Sequence, residues 1–239
     1  MLFKNARLFV NGSFIHGSFR VEAGRFTEIM DTVPEEDGLD LEGASVIPGL
    51  VDIHIHGALN SDFSDADYDG LTRMATHLAS AGVTSFAPAS MTLPYETLAK
   101  AYDNARRFRD ADQPGCARLV GIHTEGPFFS EAKKGAQNGV YLQKPDLTAF
   151  RRLWEGCAGL VCIVDVAPEL EGAEAFVSGA ANLCTVGVAH TNADYDTGRR
   201  AFCAGAGHLV QCHDAAAASG FWCHWCSGRA GTCHSGTDL

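Results

Sequence analysis

The sequence predicts an α/β fold built on a parallel sheet and entered through a short β-rich segment. Three observations predict it. Residues 1–48 read as short strands broken by Gly and Asn turn signals. From Leu50 onward, short apolar runs alternate with helical stretches, which is the pattern of successive βα units. The residue types able to do chemistry fall at or just beyond the C-terminal ends of those apolar runs.

The elements follow in order. LFKNARLFV, GSFRVEAGRF and ASVIPG alternate or run apolar, as strands do. The next candidate strands are VDIHIH, SFAPAS, LVGIHTEG, LVCIVDVAPE and CTVGVAHTNA, with a sixth through GAGHL. Between the first two lies YDGLTRMATHLASAG, whose apolar residues recur every three or four positions before a Gly stop. LPYETLAKAYDNARRFRDA is a second helical stretch. No internal repeat or low-complexity linker interrupts the series.

Composition bounds the possibilities. A chain of 239 residues is long enough for one large domain or two modest ones. Hydrophobic residues at 46% and charged residues at 20% suit a water-soluble globular protein. No stretch reaches the roughly 20 apolar residues of a membrane span, and MLFKNARLFVNGSF does not read as a signal peptide. A cytoplasmic enzyme with no membrane partner is the expectation. A net charge of −11 argues against nucleic acid, which needs a basic face. It does not argue against a phosphorylated small molecule, for which a few local donors suffice. Of nine cysteines, Cys116, Cys157, Cys162, Cys184 and Cys203 are scattered and read as buried free thiols. The other four crowd into the last thirty residues.

Four groups carry potential chemistry. In a strand, residues i and i+2 face the same side, so His54 and His56 in Asp-Ile-His-Ile-His-Gly present two imidazoles together. Gly57 lets the chain turn away without crowding them. Glu125, in Gly-Ile-His-Thr-Glu-Gly-Pro-Phe, stands where a strand becomes a loop. It can hold one metal ion or bridge two, or it can be a solvated loop residue. His190 ends the run Val-Gly-Val-Ala-His, and His208 follows Gly207. A single His after an apolar run is more often structural than a ligand. Four strand ends that each deliver a His or a carboxylate weigh towards a hydrolytic metal site with N and O ligands and an open position for water. Active sites of (β/α)8 barrels occupy that same rim.

VIPGLVDIHIHG, GVTSFAPAS, GIHTEGPFF, KKGAQN, DVAPE and VGVAHTNADY stand in the order and at the spacing of one enzyme family. Over residues 1–209 the chain resembles N-acetylglucosamine-6-phosphate deacetylases of the amidohydrolase superfamily. HTEGPF followed by KGAQN and VAPE separates this resemblance from dihydroorotases and hydantoinases. The resemblance implies a (β/α)8 barrel, here incomplete, over residues 49–209. It also implies a small β-sandwich domain, of which residues 1–48 form the N-terminal part. The implied reaction is hydrolysis of the N-acetyl group of N-acetylglucosamine 6-phosphate to glucosamine 6-phosphate and acetate. Glu125, His190 and His208 match the principal metal ligands, and His54 and His56 match the pair found in members that hold two ions. The implied metal is Zn2+, one or two ions, with Fe2+ as the alternative. Ala136 and Gln137 match a substrate-contacting pair, although many members carry His where Gln137 stands. The implied assembly is a homodimer. An Asp from a later strand serves as general base and acid in the family; Asp52 does not match it, and no substitute is evident. A deacetylase of another amino-sugar phosphate is the nearest enzyme alternative, and a metal-binding remnant without turnover is the non-enzyme one.

After Leu209 the resemblance stops. Residues 210–239 read VQCHDAAAASGFWCHWCSGRAGTCHSGTDL where the family continues with a segment like FNAMPPLHHREPG. Dropping the first base of the Val210 codon permits FNAM, GAIGAA and AELI in family order, so the tail reads as an out-of-frame product. The rival reading is a zinc knuckle of Cys223, Cys226, Cys233 and His234. The out-of-frame reading predicts a barrel with about six of eight strands, open sheet edges and uncovered apolar faces. It also predicts a chain without turnover.

Overall fold

The structure is a computed structural model that describes residues 1–111 and 113–209, with the backbone alone for residues 208 and 209. The out-of-frame tail and its zinc-knuckle alternative lie outside the described residues. The chain divides into two compact units, Met1–Leu50 and a second that begins at Val51.

In the first unit, β1 (Leu2–Val10), β2 (Ser13–Glu22) and β3 (Arg25–Met30) form an antiparallel meander. Two short strands, β4 (Leu39–Asp40) and β5 (Ser45–Val46), pair parallel with β1. The five strands make one sheet over a small core of Ala6, Leu8 and Phe19.

The second unit is a parallel half-barrel. Its strands are β6 (Leu50–Ile55), β9 (Val83–Ser90), β10 (Arg118–Leu119), β11 (Ile122–Phe128), β12 (Val161–Val166), β13 (Thr185–Val188) and β14 (His208–Leu209). β7 (Gly57–Ala58) and β8 (Ser61–Asp62) form a separate hairpin. β10 and β11 are consecutive pieces that both pair parallel with β9. The seven-stranded sheet therefore occupies six barrel positions, in the order β6, β9, β10/β11, β12, β13, β14. All six apolar runs read from the sequence become strands. Among the described residues β6 and β14 are the open edges, and Leu50, Val51 and Ile53 on β6 are exposed.

Among the described residues five α-helices cover the sheet: α1 (Tyr68–Ser80), α2 (Tyr95–Asp110), α3 (Leu147–Gly156), α4 (Ala173–Ala180) and α5 (Tyr195–Ala204). α1 starts where Asp67 accepts from the Asp69 N–H, and it buries Leu71, Met74, Ala75 and Leu78, one stripe at helical spacing. α2 buries Leu98, Ala101, Tyr102, Ala105 and Phe108 in the same way. Asp146 and Asp194 cap α3 and α5. These stripes meet Phe86, Phe128 and Val164 from the strands in one continuous core. At the usual 1.5–3 kcal/mol for each large apolar side chain buried, that core is what holds the strand ends in register. Cys116, Cys157, Cys162 and Cys184 are free thiols, as expected, although only Cys157 is fully buried. Cys203 departs from the expectation: it is exposed on α5 and disulfide-bonded. No helix of the described residues is long and apolar enough to cross a membrane.

Candidate metal centre

The C-terminal ends of β6, β11 and β13 bring four of the sequence-read residues together, three imidazoles around one carboxylate. Glu125, from β11, is 5% exposed. Its Oε1 lies 2.7 Å from His190 Nε2. Its Oε2 lies 2.9 Å from His56 Nε2 and 3.6 Å from His54 Nε2. One carboxylate thus faces an imidazole on one oxygen and a His-x-His pair on the other. The ligand atoms of His54, His56 and Glu125 all lie within 4.8 Å of one another.

The backbone sets the direction of two of these rings. His56 Nδ1 is 3.0 Å from the Ala89 carbonyl, and His190 Nδ1 is 3.0 Å from the Lys133 carbonyl. A carbonyl only accepts, so each ring carries its proton on Nδ1 and turns Nε2 towards Glu125. His190 adopts a left-handed backbone, φ 46°, which is uncommon for a residue with a side chain. Its neighbours brace that conformation. Glu169, from the Val-Ala-Pro-Glu segment after β12, accepts from the Thr191 hydroxyl at 2.5 Å and the Asn192 N–H at 2.6 Å. Phe129 lies against the His190 ring at 4.5 Å.

The fit to a divalent cation rests on Glu125 Oε2. It is buried and makes no hydrogen bond within the described residues, although His56 Nε2 is 2.9 Å away. The approach is close but out of line for a hydrogen bond, as expected of two lone pairs aimed at a shared cation. Burial is the largest single influence on Glu125 and pushes its carboxyl up. The adjoining imidazoles of His190, His54 and His56 outweigh it and hold Glu125 far below the usual carboxylate range. The adjacent Glu125 carboxylate likewise raises His56. His190 is also raised, with burial opposing and Glu125 and Lys133 prevailing. Without a cation, protons take its place.

The remaining expected residues are placed as follows. The backbone of His208 opens β14 and pairs with Gly187 of β13. Ala136 is exposed. Gln137 is buried, and its side-chain carbonyl accepts from the Thr92 N–H at 2.7 Å, which leaves its amide nitrogen 3.9 Å from Met91 Sδ. Gly57 is needed for a reason other than room at the metal. A Cβ there would stand 2.0 Å from the Ser61 carbonyl across the β7–β8 hairpin. Two buried residues escaped the sequence reading, His123 and Asp165, whose side chains lie 2.8 Å apart. His123 precedes Glu125 by two residues on one strand and so faces the same side, which was the available signal.

The sequence pattern of the amidohydrolase family matches residues 45–182. The chain belongs to the amidohydrolase family. It is 32% identical over 173 residues to an N-acetylglucosamine-6-phosphate deacetylase of Bacillus subtilis, covering 71% of this chain and 44% of the relative. It is 31% identical over 168 residues to an N-acetylgalactosamine-6-phosphate deacetylase of Escherichia coli O157:H7, covering 70% and 44%. A solved N-acetyl-D-glucosamine-6-phosphate deacetylase variant of Mycobacterium smegmatis, in complex with N-acetyl-D-glucosamine-6-phosphate, matches with a TM-score of 0.81. That match has 28% identity and covers 90% of this chain and 56% of the other. The chain spans about half the length of the curated relatives it matches. These findings bear out the resemblance read from HTEGPF, KGAQN and DVAPE, and with it the barrel-type fold.

Proposed function

We propose that the site serves the metal-dependent hydrolysis of the N-acetyl group of N-acetyl-D-glucosamine 6-phosphate, yielding glucosamine 6-phosphate and acetate. The observation that carries this reading is Glu125 with the His54–His56 pair on one oxygen and His190 on the other. His54, His56 and Glu125 would hold one divalent ion. Glu125, His190 and, from the resemblance, His208 would hold a second or sole ion. An all-N/O donor set of imidazole and carboxylate suits Zn2+, with Fe2+ the alternative. Such an ion, when bound, supplies Lewis acidity to an acyl oxygen and lowers the pKa of a water.

The chain's own groups do the positioning. The Ala89 and Lys133 carbonyls keep the Nε2 atoms of His56 and His190 turned inwards. Ala136 and Gln137 would meet the sugar. The related galactosamine enzyme supports a second reading, the C4 epimer as substrate. Proton transfer is a different matter. Asp52 Oδ1 accepts from the His54 N–H, Asp165 pairs with His123, and Glu169 is engaged by Thr191 and Asn192. None of these acids matches the Asp that transfers protons in the family, so the 239-residue chain alone is proposed to bind metal without turnover. The test is acetate release from both 6-phosphates with Zn2+ present. It compares this chain with a version extended by a relative's C-terminal half. Turnover by the short chain equal to that of the long one would sink the claim of inactivity. No metal uptake by either would sink the site.

A further inference from the structure

Behind the imidazoles on Glu125 lies a polar strut that this reading does not use. His123 on β11 and Asp165 on β12 are both 0% exposed. Asp165 Oδ2 is 2.8 Å from His123 Nε2. On the other side of the ring, His123 Nδ1 is 2.9 Å from the Ile53 carbonyl on β6. The carbonyl only accepts, so His123 donates through Nδ1 while Asp165 holds the opposite end. β9 lies between β6 and β11 in the sheet, so the imidazole reaches past one strand to grip the next.

The peptide it grips is the one that carries His54. Its carbonyl is bonded by His123, and its N–H donates to Asp52 Oδ1 at 3.0 Å. The His54 ring itself stands edge-on to His123, centroids 4.6 Å apart at 84°. His56 and His190 each have a backbone carbonyl on Nδ1. His54 Nδ1 is buried and has no hydrogen bond within the described residues. His54 therefore lacks the outer hydrogen bond that orients the other two rings, and His123 occupies the place from which orientation can come.

We infer that His123, braced by Asp165, is the positioning residue for His54. It fixes the Ile53–His54 peptide and the His54 ring, and through them the aim of His54 at Glu125 Oε2. It thereby sets the affinity of the cation position formed by His54, His56 and Glu125. The inference rests on the proposal that this position binds a divalent cation.

The test is titration of the metal-free 239-residue chain with Co2+ at pH 8, followed by the visible spectrum, which reports ligand geometry. His123→Phe keeps an aromatic ring of similar size and removes both hydrogen bonds. Loss of an outer partner of a ligand typically weakens metal binding about 10–100-fold, and a loss of that size with an altered band is expected. Asp165→Asn can still accept from His123, and a smaller loss of about threefold is expected. The decisive comparison is a cycle with His54→Ala. If His123 acts through His54, His123→Phe costs nothing further in the His54→Ala background. An equal cost in both backgrounds would mean a general effect on folding and overturn the inference. So would wild-type affinity in His123→Phe. If His123→Phe does not fold, His123→Gln, which keeps an N–H for Ile53, runs through the same cycle with a smaller expected loss and the same non-additivity. Unchanged binding in His54→Ala by itself would instead remove the metal position, and the inference with it.

Discussion

Replacing Glu125 with glutamine tests the centre of the site without opening a cavity. The change keeps the shape and removes the charge. In the metal-free chain the largest loss is the bond to His190, 2.7 Å long between side chains that are 7% and 6% exposed. A buried hydrogen bond to a charged group is worth about 1.5–3 kcal/mol. His56, with a side chain 35% exposed, adds less than about 1 kcal/mol after solvent screening. The sum, roughly 2–4 kcal/mol, corresponds to a fall in Tm of about 5–12 °C for a domain of this size. The sign of the pH dependence follows from the direction of the shifts. Glu125 is lowered from 4.5, so its contribution is present above that value. His56 and His190 are raised from 6.5, so theirs is present below 6.5 and is lost as pH climbs through their folded values. Melting curves of both proteins with a chelator, at pH 5.5 and pH 9, read the difference. The gap between wild type and Glu125→Gln must be wide at pH 5.5 and narrow at pH 9. An equal gap at both, or none at pH 5.5, refutes the assignment of Glu125 as the shared acceptor.

The same shifts predict that the metal-free chain is most stable between about pH 4.5 and 6.5, and that Zn2+ raises Tm more at pH 8 than at pH 5.5, because protons on His56 and His190 compete with it. Glu169→Gln keeps an oxygen for one of its two partners and loses the other; Zn2+ affinity should fall several-fold while Tm drops by only the few degrees of about 1 kcal/mol, and unchanged affinity would show that His190 needs no brace. Tyr102→Phe strands the hydroxyls of Ser90 and Thr124, which the buried Tyr102 joins at 2.9 and 2.8 Å; urea unfolding should show a loss of about 1–3 kcal/mol. Phe176→Ala, in contact with Phe128 and Phe150, should cost about 3–5 kcal/mol in the same assay.

Local pattern carried most of the architecture. Each of the six strands was an apolar run, and α1 and α2 were stripes at helical spacing, because burying one face of an element leaves a periodic trace in the chain. His54, His56, Glu125 and His190 were legible because a strand end is a local feature. What stayed hidden depends on distant partners. His123 takes its meaning from Asp165, 42 residues away, and from Ile53, 70 residues away. The β7–β8 hairpin follows from the close approach of Gly57 to Ser61, which no periodicity announces. The bond from the Thr92 N–H to the Gln137 side-chain carbonyl, across 45 positions, was equally out of sight.

Two buried carboxylates face imidazoles on this rim, and His54, His123 and Asp165 form a second group whose ligand atoms lie as close together as those of His54, His56 and Glu125. Asp165 meets one imidazole, and that imidazole has a carbonyl on its other side. Both ring nitrogens of His123 are occupied, while Asp165 Oδ1 makes no hydrogen bond within the described residues. Glu125 meets three imidazoles, but two of them already spend their Nδ1 protons on backbone carbonyls. With those rings neutral, the cluster holds one negative charge and several lone pairs that point at one another. A divalent cation would relieve both conditions, and under the proposed reading it would keep a net positive charge with which to polarise an acyl oxygen. Whether the His56 and His190 rings turn a lone pair or a proton towards Glu125 therefore depends on the Ala89 and Lys133 carbonyls. Those two backbone contacts belong to the centre as much as the ligands do.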